Sequence, residues 1–427
     1  MTSPEQLAAL RTPEGQAALA HAVDLAGGDP LAGGAALRAR GVPADLAAAA
    51  QTQARLRGRA VGKFGADAAR MFFTPAGLEQ ATRGLVAHRR AARLVATGVR
   101  RMADLGCGIG ADTIAAARAG IRVYAVESDP LTAEVAAANL AALGLAEAAT
   151  VTCGRAEEAD LSGVDAVFCD PSRRRGGTGQ RVFDPAAYSP VWDFVTRLPQ
   201  RVPRTVLKLA PGIDHALIPT GAEAQWVSVD GDLVEAALWF GPLAQVPRRA
   251  TLLRSPPPSP PCSQEGRSQE GSPVQAPAPA GVPSWEQGAA ELTGSGEREA
   301  PVGPVRRFLL DPDPAVTRAH LVAELADEVG GNLADPTIGY LYTDREADTP
   351  YARCLEVDEV IPFSTKRLRA TLRAAGVGRV EIMKRGSAVG PERLRRDLRL
   401  TGPRAATVVL TRVDGAPVAL LCRPVPG

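Results

Sequence analysis

The sequence predicts an α/β protein: an open, mostly parallel sheet preceded by a small helical lobe and followed by a separate α+β domain. Three observations carry this reading. Strand-like and helix-like segments alternate from Met102 to Phe240, the order that builds a parallel sheet covered by helices. The stretch Arg101–Ala117, RMADLGCGIGADTIAAA, runs from a short apolar strand through three glycines into a helix. A Pro-, Gly- and Ser-rich interval over 255–304 then separates this region from a second one that concentrates positive charge.

In chain order, residues 1–74 are rich in Ala, Leu and Arg, and Leu7, Leu10, Ala17, Leu19 and Val23 suit short amphipathic helices. Phe72 and Phe73 follow, readable either as core or as the wall of a base pocket. Gly77 to Thr97 reads as one helix, with Leu78, Leu85, Val86 and Leu94 inward and Arg83, Arg89, Arg90 and Arg93 on the surface. Met102–Leu105 is the first strand, Gly106, Gly108 and Gly110 a turn, and Asp112–Ala119 a helix. Ile121–Val126 is the second strand, ending in Glu127-Ser128-Asp129 before a helix over Leu131–Leu143. Ala149–Cys153, Val164–Cys169 and Thr205–Leu209 are further strands, and Ala224–Val229 with Leu233–Phe240 form a hairpin around an Asp-Gly turn. Ligands of such a sheet gather at the carboxyl ends of its strands.

The glycine turn indicates which ligand. Glycines let the backbone approach a bound molecule, and the helix start offers free N–H groups. Here the spacing is G-x-G-x-G, and Asp104 stands two residues before the first glycine. A carboxylate there repels a pyrophosphate and attracts an ammonium. The ligand that fits is S-adenosylmethionine, which carries an ammonium and a sulfonium but no phosphate. Glu127, about twenty residues after the glycines, suits the two ribose hydroxyls of an adenosine, while Ser128 or Asp129 caps the next helix. At the fourth strand's end stands Asp170-Pro171-Ser172-Arg173. Methyl transfer from a sulfonium is an in-line displacement that needs positioning and a freed lone pair. A carboxylate such as Asp170, stiffened by Pro171, can accept a hydrogen bond from an amino or ring N–H. Lys208, near the end of the fifth strand, either pairs with Asp170, touches RNA, or is an exposed edge lysine.

No apolar run reaches membrane-spanning length and Met1–Leu10 lack a signal peptide's pattern, so a soluble cytoplasmic protein is expected. The six cysteines, Cys107, Cys153, Cys169, Cys262, Cys354 and Cys422, include no C-x-x-C pair and read as small buried thiols, with neither disulfide nor metal site expected. A monomer is favoured. The net charge of +2 hides an asymmetry: residues 362–404 hold twelve Lys or Arg against three acids. Lys366, Arg367, Arg369 and Arg373 fall on one helix, Arg393, Arg395, Arg396 and Arg399 crowd another, and Lys384-Arg385 end a strand. Such faces bind phosphate and steer nucleic acid in. The surrounding domain, 305–427, reads as α+β, with a basic helix at Thr365–Ala375, a strand at Arg379–Lys384, a second basic helix at Pro391–Leu400, and a terminal hairpin around Asp414-Gly415.

With DLGCGIGAD (104–112), VYAVESDP (123–130), CDPSRR (169–174) and LKLAPG (207–212) in that order, residues 75–240 resemble a class I S-adenosylmethionine-dependent methyltransferase. With EQAT (79–82) and VEIMKRG (380–386), nearly the whole chain apart from the linker resembles a bacterial group of RNA methyltransferases with a C-terminal THUMP-like domain. The resemblance implies a Rossmann-like sheet over 75–254, with S-adenosylmethionine as cofactor. It places the cofactor on Asp104, Gly106, Cys107, Gly108, Gly110, Asp112, Glu127, Ser128 and Asp170, with Ala156 and Glu157 along the adenine. It implies a catalytic loop of Asp170, Pro171 and Arg173, and an RNA substrate (tRNA or rRNA) met by Lys366, Arg367, Arg369, Arg373, Lys384, Arg385, Arg395 and Arg396. One departure stands out. Enzymes that methylate exocyclic amino groups carry two prolines and an aromatic after the acid, whereas Ser172 and Arg173 occupy those last two places here. An exocyclic amino group and a ring nitrogen both stay open as targets. A small-molecule or protein methyltransferase, and a non-catalytic RNA-binding protein that keeps the nucleotide, remain as rival readings.

Overall fold

The computed structural model describes residues 3–173, 188–255 and 288–425. Arg174, Arg175, the linker stretch 256–287 and its Trp285 and Cys262 lie outside the described residues. The chain forms two compact units, one of residues 1–222 and 236–245 and one of 223–235 and 246–427.

The first unit opens with helices α1 (Pro4–Arg11), α2 (Pro13–Asp24), α3 (Pro30–Ala39) and α4 (Ala44–Phe64). Their starts share one local code. Ser3, Thr12 and Asp29 each precede a proline, and each side chain accepts a hydrogen bond from an N–H of the first turn. Capping hydroxyls and carboxylates satisfy the orphan donors, and proline at the first helical position loses no bond. The same device starts α5 (Pro75–Gln80) at Thr74 and α8 (Pro130–Ala142) at Asp129. The helical lobe shares its core with the sheet: Leu7, Leu19, Leu37 and Leu56 belong to one buried cluster with Ile114, Val123, Val135 and Phe168.

The helix expected over Gly77–Thr97 is two helices, α5 and α6 (Gly84–Ala96), with extended backbone at Ala81 and Arg83 between them. The Lys63 ammonium explains the break. It donates to the carbonyls of Leu78 (2.7 Å), Glu79 (2.8 Å) and Ala81 (2.9 Å), ending α5 with a side-chain cation. Phe72 and Phe73 are buried core residues. Buried amides from distant helices hold their backbone: Gln53 exchanges hydrogen bonds with Phe73 (2.6 and 3.0 Å), and Asn139 does so with Phe72 (2.6 and 3.1 Å). Asn139 also donates to the Ile109 carbonyl inside the glycine turn (3.0 Å).

Strands β1 (Arg101–Leu105), β2 (Arg122–Glu127), β3 (Ala149–Cys153) and β4 (Ala166–Cys169) alternate with helices as expected, α7 being Ala111–Arg118. Two short strands, β5 (Ser172–Arg173) and β6 (Tyr188–Ser189), pair antiparallel, and helix α9 (Trp192–Arg201) leads to β7 (Thr205–Leu209). The hairpin strands are β8 (Glu223–Val229) and β9 (Asp232–Trp239), joined at Asp230 and Gly231, both at positive φ. This two-residue turn matches the twist of the strands it joins. In the first unit β4, β1, β2 and β3 are parallel to β7, and β9 runs antiparallel beside β7. Leu105 pairs with both Val126 and Cys169, which brings the carboxyl ends of β1, β2 and β4 level.

In the second unit β8 pairs with β10 (Arg248–Leu253), and β10 with β11 (Ala290–Gly294). Strand β11 thus falls within the interval read from composition as linker. Beyond it come β12 (Phe308–Pro312), α10 (Pro314–Arg318), α11 (Val322–Val329), β13 (Asn332–Leu333), β14 (Leu341–Thr343), β15 (Ala352–Pro362), α12 (Thr365–Ala374), β16 (Val377–Lys384), α13 (Pro391–Leu398), β17 (Arg404–Val413) and β18 (Ala416–Pro424). Seven of these strands form one sheet in the order β13-β14-β12-β15-β18-β17-β16. Helices α12 and α13 lay Leu368, Leu372, Leu394 and Leu398 against Val408 and Leu410 of β17. Leucines at i, i+4 leave the basic residues between them on the outer side.

Candidate active site

Glycine geometry makes the turn after β1 possible. Gly106, Gly108 and Gly110 all have positive φ (82°, 57° and 91°), a region that side chains resist. A Cβ on Gly106 would lie 2.8 Å from the Asp170 carbonyl oxygen, whereas none on Gly108 would meet an atom within 4 Å. The turn is therefore packed against the fourth strand's tip at Gly106 and open at Gly108. The Gly108 N–H donates to Glu127 Oε2 (3.0 Å), and the Asp129 N–H donates to Glu127 Oε1 (2.9 Å). Glu127 thus ties the turn to the end of β2. Asp129, and not Ser128, caps α8, while the Ser128 hydroxyl lies 3.3 Å from Glu127 Oε1.

Asp104 is wholly buried. Its Oδ2 accepts from the Thr113 hydroxyl, and its Oδ1 has no partner among the described residues. Burial, with the nearby Asp112 carboxylate adding, pushes the Asp104 carboxyl up to about 8. Asp112 is otherwise engaged. Its carboxylate pairs with Arg90, whose guanidinium lies 4.6 Å from the Phe168 ring centre. Arg90 is 5% exposed and not on the surface as its place in a charged helix suggested; a buried arginine persists only when paired, and Asp112 supplies the pair. Arg93 likewise stacks on Trp239 (3.9 Å) and donates to the Leu243 carbonyl. Cys107 is buried beside the turn, Ala156 is buried after β3, and Glu157 is half-buried, 3.4 Å from the Arg155 guanidinium. Cys153, read as buried, is exposed at the end of β3, and Cys354 is half-buried.

At the tip of β4 the Asp170 N–H donates to the Leu105 carbonyl (3.1 Å), so Asp170 leans on the glycine turn. Its Oδ2 lies 2.5 Å from Lys208 Nζ, at the end of the neighbouring strand β7. Of the three roles open to Lys208, pairing with Asp170 is the one observed. Pro171 is buried behind Asp170. The backbone of Arg173 pairs with that of Tyr188, and its side chain lies outside the described residues. At the end of α5, burial lowers the Lys63 amine to about 8, with the Lys208 charge contributing. No sequence signal connected Lys63, Asn139 or Arg90 to the site, since each arrives from an element distant in the chain.

The basic residues divide sharply. Lys366, Arg367 and Arg396 are exposed, with no ion-pair partner among the described residues. Arg369 and Arg373 instead donate to the carbonyls of Asp397 and Arg399, which close α13. Arg395 pairs with Glu392 (2.5 Å), and Lys384 reaches the Ser387 carbonyl (3.5 Å). Arg385, expected on an RNA-facing surface, is half-buried. It holds Asp311 Oδ1 (2.7 and 3.0 Å) and the Pro312 carbonyl (2.9 Å) and lies over Tyr340. Three strands separate β12 from β16 in the sheet order, yet the fold brings Asp311 to Arg385, and that acid consumes the arginine.

Among known proteins, an uncharacterised S-adenosylmethionine-dependent methyltransferase of Mycobacterium tuberculosis, in strains CDC 1551 and H37Rv alike, is 33% identical over 394 residues. The match covers 86% of this chain and 95% of that protein. The chain belongs to the S-adenosylmethionine-dependent methyltransferases. This methyltransferase is also similar in fold to a crystal structure from Porphyromonas gingivalis W83 assigned as a methyltransferase, with a TM-score of 0.67 at 19% identity over 96% of this chain and 98% of that one. Residues 352–424 match the THUMP domain-like family, from the first residue of β15 to the last of β18, and residues 3–60 match a domain of unknown function (DUF8688). The methyltransferase's cofactor is S-adenosylmethionine. The residues present fit it: an orphaned buried acid oxygen at Asp104 awaits a cation, Gly108 faces open space, and Glu127 stands at the adjoining strand end. Among the described residues, no helix is long and apolar enough to cross a membrane and no group of His, Cys, Asp or Glu could hold a metal.

Proposed function

We propose that this methyltransferase modifies a nucleobase of structured RNA, tRNA or rRNA. The observation that carries the reading is the THUMP domain-like match over 352–424 coinciding with the segment that holds twelve Lys or Arg against three acids. In this reading Asp104 receives the cofactor's ammonium, the glycine turn its methionyl chain, Glu127 the ribose hydroxyls, and Ala156 with Glu157 the adenine. The bound cofactor supplies an electrophilic methyl group. Asp170 accepts the hydrogen bond from the target base, and Pro171 and the Leu105 carbonyl fix its backbone. The region 1–74 is a helical support, 75–254 the catalytic domain and 305–427 the RNA-capturing domain.

RNA capture falls to the exposed cations. Replacing Lys366, Arg367 and Arg396 together with glutamine should weaken tRNA binding about tenfold at moderate salt. It should also reduce the slope of log affinity against log salt by about 2 to 3, since each phosphate contact contributes close to one unit. Filter binding at several salt concentrations measures both. An unchanged slope removes this surface from RNA capture. Incubation of the protein with labelled cofactor and either total RNA or RNA-free extract tests the substrate class; label entering only protein or small molecules refutes the RNA reading.

A further inference from the structure

Asp170 does not act alone at its strand tip. Its carboxylate and the Lys208 ammonium sit 2.5 Å apart at the carboxyl ends of the adjacent strands β4 and β7, with side chains 32% and 13% exposed. The pair offers a hydrogen-bond acceptor and a cation side by side, next to the turn that holds the methyl donor.

Nucleobase edges differ in what they ask of such a pair. Adenine and cytosine present an amino group beside an unprotonated ring nitrogen, a neutral edge on which no oxygen gathers charge. Guanine and uracil present a ring N–H beside a carbonyl, a lactam. Freeing the lone pair of that nitrogen requires a base for the proton and a cation for the oxygen that turns negative. The chain also lacks the aromatic that would stack on an amino-bearing base after Asp170-Pro171. Resting on the RNA reading above, we infer that the target is a lactam base, methylated on its ring nitrogen, with Asp170 as proton acceptor and Lys208 as the cation for the carbonyl oxygen. The Asp170 carboxylate takes the ring N–H proton, and the electron pair left behind delocalises onto the carbonyl oxygen facing Lys208. The ring nitrogen then forms its bond to the methyl carbon as the carbon–sulfur bond breaks, the bonding pair going to sulfur. The sulfonium becomes a neutral thioether, and the proton passes from Asp170 to water.

The test is the identity of the product. Full-length protein is incubated with labelled cofactor and RNA from a strain lacking the gene. The RNA is then digested to nucleosides for mass spectrometry, beside RNA from the parent strain. Methyl on N1 of guanosine or N3 of uridine, absent from the deletion strain, is expected. Methyl on an exocyclic amino group, an adenine or cytosine ring, a carbon or a ribose overturns the lactam inference while leaving the RNA reading standing. No label in RNA and identical nucleosides in the two strains overturn both. The role of Lys208 has its own readout. Lys208→Met should lower kcat on the order of 10²-fold, the cost of losing one oxyanion donor, with cofactor affinity by calorimetry and RNA KM within threefold. Lys208→Arg should recover most of the rate. A Lys208→Met enzyme that binds cofactor and turns over at full rate refutes the assignment.

Discussion

Asp170→Ala and Asp170→Asn are both expected to lower kcat for RNA methylation on the order of 10³-fold, within the range that proton acceptors contribute. Cofactor affinity should stay within a few-fold. The two losses separate because Asp170 touches the glycine turn through its backbone, its N–H meeting the Leu105 carbonyl and its own carbonyl facing Gly106, while its carboxylate points to Lys208. Either substitution keeps the backbone contacts and removes only the acceptor. Asparagine is the stricter test, since it nearly preserves shape and leaves Lys208 a carbonyl to bind. Calorimetry with the cofactor and a filter assay of labelled RNA check the two halves. Transfer at more than a tenth of the parent rate in the asparagine variant would remove Asp170 from proton transfer.

The second large effect lies at Asp104. Its Oδ1 is buried with no hydrogen-bond partner among the described residues, and in the function proposed above the cofactor's ammonium supplies that partner. Asp104→Ala should weaken cofactor binding by on the order of 10²- to 10³-fold, what breaking a buried ion pair costs. The acid's raised value gives a pH signature. In the ligand-free protein the carboxyl stays protonated up to about 8, whereas in the unfolded chain it ionises near 3.8. Below 3.8 both states hold the proton and the group contributes nothing. Between 3.8 and about 8 only the folded state holds it, so stability falls as pH rises through that window and levels off above it. Asp104→Asn should flatten that decline in thermal unfolding. Cofactor binding between pH 6 and 7.5 should release a proton in the parent and none in the asparagine variant, read from calorimetry in buffers of different ionisation heat. Equal proton release in both would mean that another group gives it up.

What the sequence disclosed follows how far each signal travels along the chain. The strand, glycine turn and helix from Arg101 to Arg118 are local, and so are the caps before Pro4, Pro13 and Pro130; propensity and turn chemistry write them where they stand. That Glu127 and Asp170 stand beside the glycine turn was legible, because strand ends of a parallel sheet fall on one edge. The Asp170–Lys208 pair spans 38 residues and Arg385–Asp311 spans 74; the first follows from β4 lying beside β7, the second from the fold of a sheet in which three strands separate β12 from β16. Arg90 and Arg385 therefore read as surface cations, although each is held by an acid that folding delivers. The break between α5 and α6 escaped for the same reason: Lys63 is a remote side chain acting as a cap.

The match to the THUMP domain-like family begins at Ala352, but the sheet does not begin there. Strand β12 pairs with β15 along its first five residues, and Asp311 and Pro312 supply the oxygens that anchor Arg385. A fragment trimmed to the recognised homology would bare the backbone of β15 as a fresh sticky margin and strand a guanidinium with no counter-ion, two invitations to precipitation. Any attempt to isolate the THUMP-like module needs to carry at least the segment from Phe308 onward, so its boundary is set by hydrogen bonding and not by homology.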